Sequence, residues 1–174
     1  MKGFLIGVLL ATITTISWAN ECHLKYGGHR SNKASFDGPT ECHNVKQNTL
    51  SVNGPLSLCH SSIHSVSING PLIIRHSRIH DLKINGYLKA FDSHFETIHA
   101  HGKLKLHNSH VNEIVYPNSP SWGHYKVYLY KGTHVKHNIN FQQGGGIVYK
   151  AQDAEVNGHI HGAQVKSLSA SNIS

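Results

Sequence analysis

A glycine that returns every sixteen residues is the feature that most constrains how this chain can fold. Gly54, Gly70, Gly86 and Gly102 are each sixteen residues apart, and each is followed two positions later by leucine. Serine follows seven positions after each glycine, and bulky apolar residues follow nine and twelve positions after it. A period of this length, with the same residue types in each column, is typical of repeat proteins, in which a single repeat cannot bury its own apolar side. The sequence therefore predicts a stack of similar units.

Apolar residues within each repeat recur at every second position, as at Leu72 and Ile74. This alternation is typical of a β-strand rather than a helix. Asn precedes three of the four glycines, and Asn-Gly is a strong turn signal because both residues tolerate positive φ. The small serine is expected to point inward at a second bend. We predict an all-β fold, a single-stranded β-solenoid (β-helix) of 16-residue coils stacked about 4.8 Å apart. An antiparallel sandwich has no such strict period.

The chain divides into segments that follow the repeat to different degrees. Gly38 lies one period upstream of the good copies, in a turn that fits the repeat poorly, and the pattern breaks again after Val115. Pro, Ser and Asn then predict an inserted loop. The predicted segments are an N-terminal cap and first irregular coil (20–49), regular repeats (50–115), an inserted loop (116–125), C-terminal coils (126–166) and a tail (167–174).

The first nineteen residues have the organisation of a signal peptide. Lys2 supplies a positive charge, an apolar stretch follows, and Ser17 and Ala19 are the small residues that signal peptidase reads. The apolar stretch is shorter than the ~20 residues that span a membrane. We predict cleavage after Ala19 and export to the periplasm or to the extracellular space or cell surface, with no transmembrane segment in the mature chain.

Three cysteines in an exported chain allow one disulfide and leave one thiol. Cys22 and Cys42 have similar contexts, and a bond between them would hold the N-terminal cap together. Cys59 is the competing partner for Cys42, because the two residues occupy nearly equivalent places in successive repeats. The sequence alone leaves the pairing open.

Histidine is abundant, with 17 residues, and its placement follows the repeat. Imidazoles in outward columns about 4.8 Å apart could share one ion of Zn, Cu or Ni. Two further interpretations stand beside metal binding: a polar surface copied with the repeat, and a surface that becomes cationic below about pH 6. The fold itself requires no cofactor. The candidate metal ligands are His60 and His76, His64 and His80, and His94 and His110 in three columns, and His99, His101, His159 and His161 in two His-x-His pairs.

The formal net charge of +7 suggests attraction to anionic polysaccharide, lipid head groups or nucleic acid. The lysines, however, are scattered along the sequence without aromatic interleaving, which favours a solvated, mildly basic surface and does not favour nucleic acid. Nine acidic residues are dispersed along the chain, so no carboxylate cluster indicates polysaccharide cleavage. The serines of His60-Ser61 and His76-Ser77 are expected to point inward, and we predict that the protein is not an enzyme.

Aromatic residues concentrate around the predicted loop, at Trp122, Tyr125, Tyr128 and Tyr130. Such rings could form a platform for sugar rings or for a protein partner. Alternatively, large side chains at this position cover the end of the core.

The segment from Val156 to Val165 reads Val-x-Gly-x-Ile-x-Gly-Ala-x-Val. This cadence resembles the bactofilin type of polymer-forming β-solenoid. The resemblance implies that the solenoid continues to near the C-terminus. Bactofilins lack a signal peptide, so their cytoskeletal function is not implied here.

Together these features predict an exported, non-enzymatic β-solenoid that acts as a binding or adhesin-like module. The expected partners are an anionic polysaccharide, a cell surface or another protein. Two alternatives remain: a structural protein whose solenoids stack end to end as a homo-oligomer, since open strand edges can pair, and a transition-metal-binding protein that uses its histidine columns.

Overall fold

The computed structural model describes residues 21–24, 29–32, 34–117 and 125–169. These residues form strands and turns without a helix, and so contain no helix that could cross a membrane. The predicted signal peptide, Trp122 and the last five residues of the predicted tail lie outside the described residues.

Twenty short strands make up the described part of the chain. In chain order they are β1 (Cys22–Leu24), β2 (His29–Asn32), β3 (Ser35–Asp37), β4 (Thr40–His43), β5 (Lys46–Asn53), β6 (Leu56–Cys59), β7 (Ser62–Asn69), β8 (Leu72–Arg75), β9 (Arg78–Asn85), β10 (Leu88–Phe91), β11 (His94–His101), β12 (Leu104–His107), β13 (His110–Tyr116), β14 (Lys126–Leu129), β15 (His134–Val135), β16 (Ile139–Phe141), β17 (Gly146–Lys150), β18 (Glu155–Val156), β19 (Ile160–His161) and β20 (Ala163–Ser167).

The strands belong to two sheets in which neighbours along the stack are mostly parallel. The short-strand sheet has nine strands in the order β1-β4-β6-β8-β10-β12-β14-β17-β20. The long-strand sheet has eleven and runs from β2 through β3, β5, β7, β9, β11 and β13 to β15 and β16, and then to β18 and β19. Val52 pairs with Ile68, and Ile68 with Ile84, so each step is sixteen residues. The predicted all-β solenoid of 16-residue coils is confirmed.

Each repeat consists of an eight-residue strand, a glycine turn, a four-residue strand and a two-residue corner. Gly70 at the turn has φ +150°, and a Cβ there would lie 2.6 Å from the carbonyl oxygen of Gly54 in the previous coil. Only the glycine of Asn-Gly is left-handed. Asn69 ends a strand and donates from Nδ2 to Asn53 Oδ1 at 3.3 Å. Both residues tolerate positive φ, but in this turn the glycine adopts it and the asparagine does not.

The second left-handed position falls at the corner, directly before the serine. The five residues in this column have φ between 45° and 54°, and they are Asn44, His60, His76, Asp92 and Asn108. Asn, Asp and His are the non-glycine residues most often found in this conformation. The backbone at the corner therefore accounts for the residue types in this column.

The predicted inward serines are confirmed as a buried ladder. Ser93 is fully buried. Its Oγ donates to the Phe91 carbonyl at 2.6 Å and accepts from the Ser77 N–H at 3.2 Å. Ser61, Ser77 and Ser109 are also buried. Because each hydroxyl satisfies a backbone group of its own coil and one of the preceding coil, a polar column passes through the apolar core without losing hydrogen bonds.

The core consists of stacked aliphatic columns, and its alternation slips once in every long strand. In β9 the buried side chains Ile79 and Leu82 are three positions apart, so His80 and Asp81 between them are both outward. The strand bends here, since consecutive residues in a straight strand point to opposite faces. This bend gives each coil a third corner.

The N-terminal end is closed by antiparallel strands and a disulfide. β1 pairs antiparallel with β4, and Cys22 is bonded to Cys42 while Cys59 keeps its thiol. Ser35 pairs with Ser51 in the parallel register, so the 16-residue step extends upstream through the Gly38 turn. We refer to residues 35–115 as the regular coils.

The C-terminal coils, defined as residues 126–167, are longer and uneven. Val127 pairs with Val148 and Val148 with Val165, in steps of 21 and 17 residues. Tyr116 marks the transition: its ring is buried against Phe141, with centroids 4.4 Å apart, and its hydroxyl donates to the Gly102 carbonyl at 3.1 Å. Aromatic side chains thus replace aliphatic ones where the coil widens.

Candidate functional site

Six of the ten candidate metal ligands lie in outward columns in which imidazoles stack from coil to coil. The centroids are 5.0 Å apart for His60 and His76, 4.5 Å for His64 and His80, and 4.8 Å for His94 and His110, whose stack continues to His134 at 5.1 Å. This spacing follows from the distance between parallel strands. The structure therefore brings the predicted pairs together, and their binding of metal stays a prediction.

The other four candidates are more dispersed. His99 and His101 lie on the second half of the long strands and line a shallow groove together with Ser67, Asn69 and Lys83. His159 and His161 lie in the last coil with ring centroids 5.7 Å apart.

The long-strand bend holds a closer grouping than any single histidine pair. His64, His80 and Asp81 each present a ligand atom, and these three atoms lie within 4.8 Å of one another. Asp81 was not a candidate from the sequence, because strict alternation would have placed it on the opposite face from His80. The sequence nevertheless contains a sign of the bend, because the apolar residues Ile79 and Leu82 are three positions apart rather than two.

Basic and aromatic side chains gather on the outer side of the short-strand sheet, contrary to the expectation of scattered lysines without aromatic interleaving. Arg75 Cζ and Lys89 Nζ both lie 5.0 Å from the centroid of the Phe91 ring. We call this surface the basic-aromatic face, and it consists of Arg75, Lys89, Phe91, Lys103, Lys105, His107, Lys126, Tyr128, Tyr130 and Tyr149.

Lysines and rings also meet at the C-terminal side of this face. Lys103 Nζ and Lys105 Nζ lie 5.0 Å and 5.7 Å from the centroid of Tyr128. A cation above an aromatic ring is attracted to the negative face of that ring. The four lysines of the basic-aromatic face are half-buried, whereas Lys46, Lys83 and Lys136 on the long-strand side are exposed.

Burial, with the nearby cations adding to it, lowers the pKa of two groups on the face. Burial is the main cause for Lys103, and the nearby charges of Lys105 and Lys126 lower its pKa further. Burial also lowers the pKa of His107, and Lys89 and Lys105 add to the shift. Protonating His107 or adding further cations here is therefore unfavourable, and an anion would be favoured.

His107 is held between two rings at the boundary of the regular coils. Its centroid lies 4.7 Å from that of Phe91 and 3.9 Å from that of Tyr130. Its Nε2 is buried without a hydrogen-bond partner among the described residues.

The three described rings of the predicted aromatic platform, those of Tyr125, Tyr128 and Tyr130, do not present open faces. Tyr128 is 8% exposed and stacks on Tyr149 at 4.7 Å, and Tyr130 is 9% exposed and stacks on His107. Tyr125 is half-buried, with its ring tilted against Tyr116 at 5.2 Å. The Tyr128 ring supports Lys103 and Lys105, and none of the three rings offers a free stacking surface.

No protein-family model, curated protein sequence or solved structure gives a significant match to this chain.

Proposed function

We propose that this chain is an exported, non-enzymatic β-solenoid module that binds an anionic polysaccharide of a cell surface through its basic-aromatic face. The observation that carries the proposal is the placement of lysine ammonium groups over the rings of Phe91 and Tyr128. Export rests on the sequence of residues 1–19.

The rings reduce the cost of ordering the cations on binding. A solvated lysine loses side-chain freedom when it pairs with an anion, at about 0.5–1.5 kcal/mol for each immobilised side chain. Lys89 and Lys103 already lie against rings, so part of that loss has occurred in the unbound protein. Burial is the main cause of the lowered pKa of Lys103, and the repulsion from Lys105 and Lys126 that adds to it would be relieved by a bound polyanion.

The regular stacking suits a linear polymer rather than a compact ligand. Lys89 and Lys105 are paired neighbours in adjacent strands, and Lys105 pairs in turn with Tyr128. Lys103 and Lys126 directly precede the paired residues Leu104 and Val127. Two neighbouring columns therefore each hold two cations one step of about 4.8 Å apart along the stack. A chain with regularly spaced carboxylate or sulfate groups can contact several of them at once.

Binding of polygalacturonate to the exported chain tests the proposal, with neutral dextran as the reference polymer. The triple variant K89Q/K103Q/K105Q should bind roughly tenfold to a hundredfold more weakly, since three ion pairs of about 0.5–1 kcal/mol each are lost. Binding by the unaltered protein should weaken with added salt.

The matched control is K46Q/K83Q/K136Q, which removes the same charge from exposed lysines on the long-strand side. It should retain most of the affinity. Equal losses in the two variants would mean that net charge alone attracts the polymer, and the assignment to the basic-aromatic face would then be abandoned.

A second candidate function, end-to-end stacking of solenoids, has its own supporting observation. β20 pairs with β17 alone within the described part of the chain, and Val165 on β20 is 53% exposed. The bactofilin-like cadence lies in the same segment. Size-exclusion chromatography at micromolar concentration tests this candidate. Stacked solenoids would elute as large or heterogeneous species, whereas a sharp monomer peak argues against them.

A further inference from the structure

We infer that His64, His80 and Asp81 form a binding site for a divalent transition-metal ion. The site lies on the long-strand sheet and is independent of the basic-aromatic face. It goes beyond the proposed function, because neither polysaccharide binding nor stacking requires it.

The bend of the long strand is what makes the three side chains converge. His64 and His80 occupy equivalent positions of adjacent coils, so their rings stack with centroids 4.5 Å apart and planes at 28°. Asp81 follows His80 in β9 but faces the same side because the strand bends between the buried residues Ile79 and Leu82. His80 Nδ1 and Asp81 Oδ2 are 3.2 Å apart.

These distances are close to those of a bound site. Zn–N bonds of about 2.0–2.1 Å place two ligand nitrogens of a tetrahedral shell roughly 3.3 Å apart. The ligand atoms here lie within 4.8 Å of one another. The side chains of His80 and Asp81 are 53% and 36% exposed, so rotation about their χ angles can close the difference without moving the core.

The other stacked pairs lack a carboxylate in the same position. His60 stacks on His76, but Asp92 lies on the coil beyond His76, and His60 Nδ1 already contacts Cys59 Sγ at 3.1 Å. Glu155 likewise lies on the coil beyond His134 and bonds it at 3.1 Å. A carboxylate one coil beyond a stacked pair lies near the last imidazole of the pair but not near the first.

The pair His94 and His110 is disfavoured by its charges. Burial lowers the pKa of His94, and the neighbouring His110 and Arg78 lower it further. The carboxylate of Glu96 nearby is hydrogen-bonded to the Asn112 amide. Within the described residues, His64, His80 and Asp81 are thus the group in which two imidazoles and a carboxylate meet.

The ligand set indicates Zn²⁺, Cu²⁺ or Ni²⁺. Imidazole suits these ions, and one carboxylate adds a negative charge, with water completing the shell. Lys46 and Arg78 line the surface beside the two histidines and oppose a cation. Asp81, and Glu96 one coil further along the His80 column, offset them.

Calorimetric titration of the exported chain with Zn²⁺ tests the inference. The chain should show one tightest site of 1:1 stoichiometry, which is absent from H64A/H80A. D81N should weaken that site by about 10–100-fold, the loss typical of altered groups around a metal. The matched control H60N/H76N removes a stacked pair of the same spacing, keeps a residue type that tolerates the left-handed corner, and should retain the site. The four histidines are exposed and Asp81 is half-buried, so thermal unfolding should show that each variant remains folded.

Electron paramagnetic resonance of the Cu²⁺-loaded chain gives a second readout. One equivalent of Cu²⁺ should show coupling to two imidazole nitrogens, and H64A/H80A should lose this coupling while H60N/H76N keeps it. The inference is overturned if D81N binds Zn²⁺ as tightly as the unaltered chain, or if the two double variants behave alike in either measurement.

Discussion

Successive coils pack on one another differently in the regular coils and in the C-terminal coils. In the regular coils the glycine and the serine each recur above themselves, so glycine packs on glycine and serine bonds to serine. The C-terminal coils keep the parallel register but change length, and aromatic rings and an open turn at Gly144 and Gly145 replace the ladders. Val148 is still fully buried there, whereas Val165, one coil further, is not. Strict repetition is therefore needed for the ladders and not for the stacking of strands.

Among the substitutions that test this difference, replacing a ladder glycine should have the largest effect on the free energy of unfolding. In Gly70→Ala the new Cβ lies 2.6 Å from the Gly54 carbonyl oxygen at a residue with φ +150°. Strain and overpacking together should lower the free energy of unfolding by about 2–6 kcal/mol. Urea unfolding followed by circular dichroism measures the loss.

Gly145 in the C-terminal coils provides the matched control. It has φ +76°, and a Cβ there meets no atom within 4 Å. Gly145→Ala should cost only about 1–2 kcal/mol, the usual penalty for a left-handed residue. If the two variants were equally destabilised, close glycine packing would not distinguish the two regions.

The serine ladder should give the next largest effect. Ser93→Ala leaves the buried N–H of Ser77 without its partner, at an expected cost of about 1–3 kcal/mol. Thr133 is the counterpart beyond the regular coils. Its Oγ1 donates to the Leu106 carbonyl, which also accepts from the Tyr130 N–H. Thr133→Val should therefore cost less, about 0.5–1.5 kcal/mol. Thermal unfolding of both variants compares them, and a reversed order would contradict the ladder's role.

The smallest effect is expected at the boundary between the two regions, where His107 should alter how stability depends on pH. The folded protein holds the pKa of His107 below its ordinary value, so as the pH falls through about 6.5 the unfolded chain binds this proton first. His107 therefore favours unfolding increasingly between about pH 7 and pH 5.

His107→Phe keeps a ring between Phe91 and Tyr130 and removes the titrating group. Its stability should fall less steeply over that pH range than the stability of the unaltered chain. Unfolding midpoints at several pH values measure both slopes, and parallel slopes would show that His107 contributes nothing to the pH dependence.

The sequence was most informative where residues repeat in columns. The glycine column, the leucine column and the inward serines were predictable because each depends on a local conformation or size that recurs sixteen residues later. The corner column was also readable in principle, since Asn44, His60 and Asp92 belong to the residue types that tolerate a left-handed backbone.

The part of the basic-aromatic face beyond Tyr116 could not be read in the same way. Lys105 pairs with Tyr128, and Leu104 with Val127, across a step of 23 residues. Because the step here is longer than sixteen, extending the 16-residue period beyond Tyr116 assigns the tyrosines and lysines to the wrong columns. The contact of Asp81 with His80 was missed for a different reason: it depends on a bend that breaks the alternation on which outward columns were assigned.

The constant step of the regular coils also sets how the length of this chain can change. Removing residues 71–86 would join Gly70 to Tyr87, and every remaining ladder residue would meet a neighbour of its own type. Removing one residue fewer would turn the following side chains to the opposite face and place charged groups in the core. A gene for such a chain should therefore tolerate loss or duplication of whole 48-nucleotide units, while smaller in-frame changes within a coil would be eliminated.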